Sequence, residues 1–480
     1  MLKNYTINSE ANIVSVSSDV NNSTVRCEKG VFSHLMFYKF DENYWLIIDT
    51  FNDRLELVCN KTKISVFDEL NCDVPYWNYY AYIFKKNKEL LLTNYNDVIN
   101  EANNTKLNFF VICPTYNCNS RCVYCYQQYN PLLDRRVISE NDLQYTLNYI
   151  QEHINNIREH NNKQLIAIGL FGGEPFIKKN KAIIEKIMAF ARKNKLPVLP
   201  TTNLQEIEDF LDIFIKYRGY FGRICTTIDG DKDYHNTRRK SLITKDPFSK
   251  VVNNVNLLTE LGIHVTVTIN IDYSNKDMLY NFLQLAKDYK WWNNQLVTLE
   301  IGRVDDRCYT GTSDDIMSEA QLLKYLYDFN KNNEFPCNIK LAFVKTSLCI
   351  AQRLGFDFNQ NERGRQKFHY CWSATPVDNI QYIDKNLNVY RCTYTVGRED
   401  LALYNLKNMN DRTNVDMFNR STFLPECWNC PIGGYCGGGC CVSSHVNQER
   451  FCNEELKNFD YLINQLVIPI IKNKFYECVG

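Results

Sequence analysis

The sequence predicts an α/β protein: a partial (β/α)6 TIM barrel with a small N-terminal α+β domain before it and a cysteine-rich domain after it. Three observations carry this. Apolar runs of strand length alternate with stretches of helical period from Leu107 to Arg303, the pattern of a parallel sheet crossed by helices. The residues before them carry shorter alternating segments parted by turn residues, as a small antiparallel sheet does. Nine of the twenty cysteines fall in the last quarter of the chain.

At 480 residues and 45% apolar composition, the chain can bury two or three cores. We divide it at 1–106, 107–304, a bridging region 305–369, and 370–480. Lys+Arg and Asp+Glu balance at 55 each, so nothing points to nucleic acid. The N-terminus, Met1-Leu2-Lys3-Asn4-Tyr5-Thr6, lacks the apolar core of a signal peptide. The run Leu466-Val467-Ile468-Pro469-Ile470-Ile471 is too short to cross a bilayer. A cytoplasmic protein is expected, and its cysteines then read as metal or redox groups rather than disulfides.

In the first domain, Phe32 to Phe40, Tyr44 to Thr50 and Arg54 to Asn60 read as strands, Pro75 to Phe84 as a helix, and Glu89 to Leu92 as a further strand. Cys27, Cys59 and Cys72 read as apolar fillers. The barrel strands are Leu107 to Ile112, Gln164 to Phe171, Pro197 to Asn203, a strand and turn over Arg223 to Gly230, Ile263 to Ile271 and Leu296 to Ile301, with helices over Asn141 to Arg158 and Lys181 to Lys195. A further helix covers Ser318 to Asn330 in the bridging region, whose Cys308, Cys337 and Cys349 read as structural, with completion of a cluster by one of them as the alternative.

The chemistry centres on Cys118-Asn119-Ser120-Arg121-Cys122-Val123-Tyr124-Cys125, which sets three thiols on the loop after the first barrel strand. Open α/β folds place their sites at such strand ends. Zinc in a structural site wants four closed ligands, and no fourth follows nearby. Iron–sulfur clusters take four thiolates, so three would leave one iron open to another ligand. The bland reading is a set of inert, reduced cysteines.

This CxxxCxxC loop with Tyr124 before its last cysteine resembles the signature of the radical S-adenosylmethionine (SAM) superfamily. The resemblance implies a four-iron cluster on Cys118, Cys122 and Cys125, whose open iron chelates SAM and whose electron releases a 5′-deoxyadenosyl radical. It assigns Gly172-Gly173-Glu174-Pro175, at the end of the second strand, to the SAM amino group. It also implies SAM contacts from Asn203, Thr227, Arg239 and Asn270, with Tyr124 among the cofactor-binding residues, and matches Asp231 to Arg239 to a segment of sulfatase-maturating and peptide-modifying relatives. Leu204 stands where that family has glycine. Asp229 reads as a turn cap and His235 as either a packed or a functional histidine.

The C-terminal cysteines resemble the SPASM domain, which holds two auxiliary four-iron clusters. The resemblance implies one cluster on Cys427, Cys430, Cys436 and Cys452, and another on Cys371, Cys392 and Cys440 with its fourth ligand unassigned. A zinc ribbon is the competing reading, and Cys441 and Cys478 have no role. Leu387 again replaces a family glycine, so the hairpin before Cys392 is either altered or slipped by one residue. Thr393 replaces the aspartate that sulfatase-maturating relatives use as a base, and no catalytic acid or base is assigned.

The implied enzyme is a radical SAM oxidoreductase matching maturases of ribosomally made peptides, forming a cross-link, with a thioether the first expectation. Other cross-links, epimerisation and formylglycine formation are the alternatives, and an iron–sulfur electron carrier is the non-enzymatic one. Implied partners are a precursor peptide and a flavodoxin- or ferredoxin-type electron donor. The N-terminal domain then resembles a leader-recognition (RRE-like) element that adds the peptide as an edge strand; a packing or dimerisation domain is its alternative.

Overall fold

A computed structural model describes residues 16–18, 24–27, 35–42, 44–51, 54–59, 107–129, 134–160, 164–305, 315–342, 368, 379–412, 414, 423–448 and 450–479. The helix expected at Pro75 to Phe84 and the strand at Glu89 to Leu92 lie outside these residues, as do Cys72, Cys308, Cys349 and Cys371.

The N-terminal strands β1 (Val16–Ser18), β2 (Thr24–Cys27), β3 (Leu35–Lys39), β4 (Tyr44–Asp49) and β5 (Arg54–Cys59) form one antiparallel sheet in that order. Alternation sends Met36, Tyr38, Leu46 and Ile48 into the core.

The barrel region follows the expected alternation. β6 (Leu107–Cys113), β8 (Leu165–Leu170) and β9 (Val198–Pro200) pair in parallel, as do β10 (Ile224–Thr227), β12 (Val265–Ile271), β13 (Val297–Arg303) and β14 (Ile339–Leu341). Parallel bridges Thr201↔Cys225 and Val198↔Phe221 join the two groups. Helices α1 (Glu140–His160), α2 (Lys181–Asn194), α3 (Leu211–Tyr217), α4 (Lys232–Arg238), α5 (Pro247–Glu260) and α6 (Met278–Asp288) connect them. Each longer helix buries one stripe: Leu143, Leu147, Ile150 and Ile154 of α1, and Ile184, Ile187, Met188 and Ala191 of α2. The start of α5 is fixed by Pro247 in its first turn and by Asp246, whose carboxylate accepts from the Ser249 amide at 3.1 Å.

Two strand pairings were not foreseen. The bridging region, read as linker, supplies β14 at the edge beside β13, ahead of which α7 (Glu319–Asn330) starts on a Ser318–Gln321 capping box. From the C-terminal part, β15 (Ile380–Asp384) pairs in parallel with β6, Asp384 opposite Cys113, and extends the sheet through β16 (Asn388–Tyr390) and β17 (Tyr404–Asn405). Among the described residues no closed barrel forms: no pairing joins β14 to the β15–β17 edge.

The cysteine-rich part is helical: α8 (Gly433–Cys436), α9 (Cys441–Asn447), α10 (Cys452–Leu462), a π-turn at Ile463–Val467 and α11 (Ile468–Val479). Pro469 has no amide hydrogen and its ring crowds the preceding turn, which accounts for the widened winding just before it. The N-terminal sheet docks on this part. Tyr38 donates to Asp460 at 2.7 Å, Thr50 to the Pro431 carbonyl at 2.8 Å, and Phe51 packs with Phe368, Phe423 and Trp428.

Candidate active site and cysteine centres

The CxxxCxxC loop leaves the end of β6 and is clamped from two sides. Its short strand β7 (Ser120–Cys122) pairs antiparallel with β11 (Arg239–Ser241), Cys122 opposite Arg239. On the other side the Gly172–Gly173 turn donates from Gly173 to the Thr115 carbonyl at 3.0 Å and from Glu174 to the Asn117 carbonyl at 2.8 Å. These glycines are required. Gly172 has φ 120°, and a Cβ on Gly173 would stand 2.2 Å from the Asn117 carbonyl oxygen.

Glu174 is buried, and its carboxylate accepts from the Phe176 amide at 2.9 Å, the Thr202 hydroxyl at 2.6 Å and the Asn203 amide at 2.6 Å. Three of about four lone-pair sites are thus used, leaving room for one cationic partner. Burial pushes its pKa up to about 7 against the pull of these bonds. Asn203 joins this group to the cysteine loop, donating to Asn119 at 2.6 Å and Ser120 at 3.0 Å, with Cys118 Sγ at 3.9 Å. Leu204 takes φ 57° in place of a glycine and is fully buried.

The opposite wall carries a second network. Tyr124 donates to Asp229 Oδ2 at 2.6 Å and accepts from Arg239 at 2.6 Å and from Asn270 at 3.3 Å. Asp229 also accepts from the Asn270 amide at 3.0 Å and faces Arg238 at 3.5 Å, and Arg238 pairs with Asp272 at 2.5 Å and covers the Tyr124 ring. Burial raises the pKa of Asp229, while Arg239 and Arg238 oppose the rise. Asp229 is therefore no turn cap. The cap of α4 is Asp231, which accepts from the Tyr234 amide. His235 is packed: it is buried against Phe248, and its Nδ1 accepts from the Asp229 amide at 3.3 Å.

Of the residues singled out for the cofactor, Glu174 and Asn203 lie on one side of the cysteine loop, Tyr124, Arg239 and Asn270 on the other, and Thr227 ends β10 in register with Thr268. Sequence reasoning missed Asp229 and Arg238 as partners of Tyr124, and Asp272 as the partner of Arg238. The doubled Arg238-Arg239, which closes α4 and opens β11, was the local sign of charge here, and adjacent arginines call for acidic partners only once they are buried.

The donor set fits an iron–sulfur cluster. Cys118, Cys122 and Cys125 form no disulfide. Burial first, then Glu174, Cys122 and Cys125 push the Cys118 thiol up to about 12, a proton that a soft metal displaces on binding. Cys118 Sγ also accepts from the Ser120 amide at 3.4 Å. Among the described residues, no three His, Cys, Asp or Glu groups are placed to hold a metal ion.

In the C-terminal part, Cys436 is pushed up by burial, then by Glu455 and Cys430, with Cys427 also contributing; Cys452 in turn responds to burial, Arg450 and Cys427. Cys430 and Cys427 thus lie within electrostatic reach of Cys436, and Cys427 within reach of Cys452. Arg450 Nη1 stands 3.8 Å from Cys427 Sγ. Of the second set, Cys392 follows the β15–β16 hairpin and Cys440 caps α9, its Sγ accepting from the Ser443 amide at 3.4 Å. Cys371 lies outside the described residues. The cysteine loop meets the Cys392 loop directly: Tyr126 donates to the Thr393 carbonyl at 3.0 Å and packs on Tyr394.

Residues 112–286, from the end of β6 into α6, match the Radical SAM superfamily. The chain carries a radical SAM domain. It is 24% identical over 344 residues to a serine-type anaerobic sulfatase-maturating enzyme of Bacteroides thetaiotaomicron, covering 67% of this chain and 80% of that one. A cysteine-type enzyme of Clostridium perfringens is 22% identical over 384 residues, 73% and 94% of the two chains. The fold resembles that of anSMEcpe with bound AdoMet (TM-score 0.54, 18% identity, 76% and 98% coverage) and that of Streptococcus suis SuiB bound to precursor peptide SuiA (TM-score 0.51, 13% identity, 87% and 96% coverage). Radical SAM enzymes use SAM and a four-iron cluster, and the match over residues 112–286 together with the likeness to sulfatase-maturating enzymes indicates that this chain is an enzyme. No helix among the described residues is long and apolar enough to cross a membrane.

Proposed function

We propose that this radical SAM enzyme matures a precursor peptide, closing a cross-link for which a thioether is the first candidate. The carrying observation is the cysteine loop of Cys118, Cys122 and Cys125, clamped between the Glu174–Asn203 network and the Tyr124–Asp229–Arg239 network. When bound, the cluster and SAM together supply a one-electron cleavage that yields a hydrogen-abstracting 5′-deoxyadenosyl radical. The protein's part is to hold and aim them. Glu174 would take the SAM ammonium on its remaining acceptor site, Arg239 the carboxylate, and Thr227 and Asn270 the ribose side. Cys427, Cys430, Cys436 and Cys452 would hold one auxiliary cluster; Cys371, Cys392 and Cys440 are proposed for another.

The open sheet edge and the SuiB likeness support a peptide substrate. Thr393 disfavours formylglycine chemistry that relies on an aspartate at that place, because a hydroxyl does not take a proton near neutral pH unaided. Sulfatase maturation is the second reading, supported by the sequence likeness to sulfatase-maturating enzymes. An electron donor of flavodoxin or ferredoxin type is proposed as partner, and RRE-like leader binding as a role for the N-terminal sheet.

The test incubates anaerobically reconstituted, reduced protein with SAM and either a cysteine-bearing peptide encoded beside its gene or a sulfatase-motif peptide. Release of 5′-deoxyadenosine with a precursor lighter by a pair of hydrogens supports cross-linking. An aldehyde on the sulfatase peptide alone replaces it by the second reading, and absence of 5′-deoxyadenosine with both refutes the two together.

A further inference from the structure

The concave face of the sheet holds a carboxylate that neither network uses. Along β13, Leu299 and Ile301 are fully buried in the helix-facing core, so Glu300 between them faces the other way, into the lumen. The parallel register sets Glu300 opposite Thr268 on one side and Lys340 on the other. Thr268 Oγ1 donates to Glu300 Oε2 at 2.9 Å. Thr268 shares its face with Asn270, whose side chain reaches Tyr124 at the cysteine loop. Glu300 therefore lies one pleat repeat, about 6.6 Å, below the level of Asn270. It is partly exposed, and its strand is second from the open edge.

The neighbouring carboxylates are committed. Glu174 accepts three hydrogen bonds, Asp229 serves Tyr124 and Asn270 beside Arg238, and Asp272 pairs with Arg238. Asp384 is buried, accepting from Tyr116, Tyr390 and the amides of Asn386 and Asn388. Among the described residues Thr268 is the hydrogen-bond partner of Glu300, which leaves Oε1 available.

Cross-link closure needs such a group. A peptide C–H bond breaks and its hydrogen atom goes to the 5′-deoxyadenosyl radical. The carbon then bonds to a peptide heteroatom whose own X–H bond breaks; its proton needs a base, and the surplus electron passes to an iron–sulfur cluster. The Thr393 hydroxyl cannot supply that base. We propose that Glu300 is the proton acceptor for the peptide nucleophile, a thiol, hydroxyl or amine that reaches the lumen through the open edge. This rests on the peptide-maturase reading.

Glu300→Gln keeps the shape and removes the base. The expected result is unchanged thermal stability, unchanged SAM affinity by calorimetric titration and continued 5′-deoxyadenosine release, with mature peptide per 5′-deoxyadenosine falling about 100-fold. Glu300→Asp recovers part of that yield. An unchanged yield per 5′-deoxyadenosine overturns the proposal, and so does a loss of SAM affinity, which would make Glu300 a cofactor contact. If the parent protein releases 5′-deoxyadenosine yet never alters the peptide, the maturase reading itself fails, whatever the variant does.

Discussion

His235 illustrates how one buried side chain couples the site to pH. Its Nδ1 accepts from the Asp229 amide, so the single proton of the neutral ring sits on Nε2, which has no partner among the described residues. Burial, then Arg239, lowers its pKa from 6.5 to about 3. Because the folded value is depressed, the unfolded chain takes up the proton first on acidification. Stability is then lost from about pH 6.5 downward, by roughly 2 kcal/mol at pH 5. His235→Gln can still accept from the Asp229 amide without titrating. Its melting temperature should therefore fall less between pH 7 and pH 5 than the parent's, and equal falls would show that His235 does not carry the effect. At the same scale, Arg238 and Arg239 both offset the charge of buried Asp229, while Arg238 alone pairs with Asp272 and Arg239 donates to the Tyr124 hydroxyl. The sequence made the arginines visible, but it could not say which carboxylates they would meet.

Among the elements, the β15–β16 hairpin answers the question raised by Leu387. Tyr382 pairs with Tyr390 and Ile383 with Val389, which places Leu387 in the turn between the strands. Leu387 itself adopts φ 67°, and its amide donates back to the Asp384 carbonyl at 2.9 Å. A left-handed leucine costs about 1–2 kcal/mol. Burying its side chain, 1% exposed, returns about 1.5–3 kcal/mol, and Asp384 clasps the turn through the Asn386 and Asn388 amides. Turn chemistry alone would predict that Leu387→Gly stabilises the protein. We expect the reverse, a net loss of about 1–3 kcal/mol, because the cavity outweighs the relieved strain. Denaturant unfolding decides it, and a stabilised variant would disprove this account. Leu204 presents the same exchange of strain for burial at the other family glycine position.

Across the whole molecule, the two ends of the chain hold each other. Gly434 in α8 lies against the Thr50 carbonyl, where a Cβ would stand 2.3 Å from the oxygen, and Thr50 in turn reaches the Pro431 carbonyl. Gly434→Ala must push these backbones apart, at about 1–3 kcal/mol. Its expected signature is faster proteolysis within the N-terminal sheet together with weaker retention of iron by the C-terminal cysteines. Normal iron content with unchanged proteolysis would mean that the contact is dispensable. The same docking bears on any leader-binding role, because β3 and β4 already turn Tyr38, Leu46 and Ile48 toward the core, leaving strand edges rather than that face for a peptide.

The sequence by itself determined the local chemistry. The CxxxCxxC loop, the Gly172–Gly173–Glu174 turn and the β/α alternation are each written within a few neighbouring residues, where spacing and backbone freedom act directly. Only the tertiary structure decided what met across the chain: β15 joining β6, Asp229 becoming the partner of Tyr124, the bridging region giving an edge strand, and Glu300 facing the lumen. Those outcomes depend on strand register and on long-range burial. A linear reading has no measure of either, since the paired residues are separated by up to hundreds of positions and are brought together only by the packing of the core.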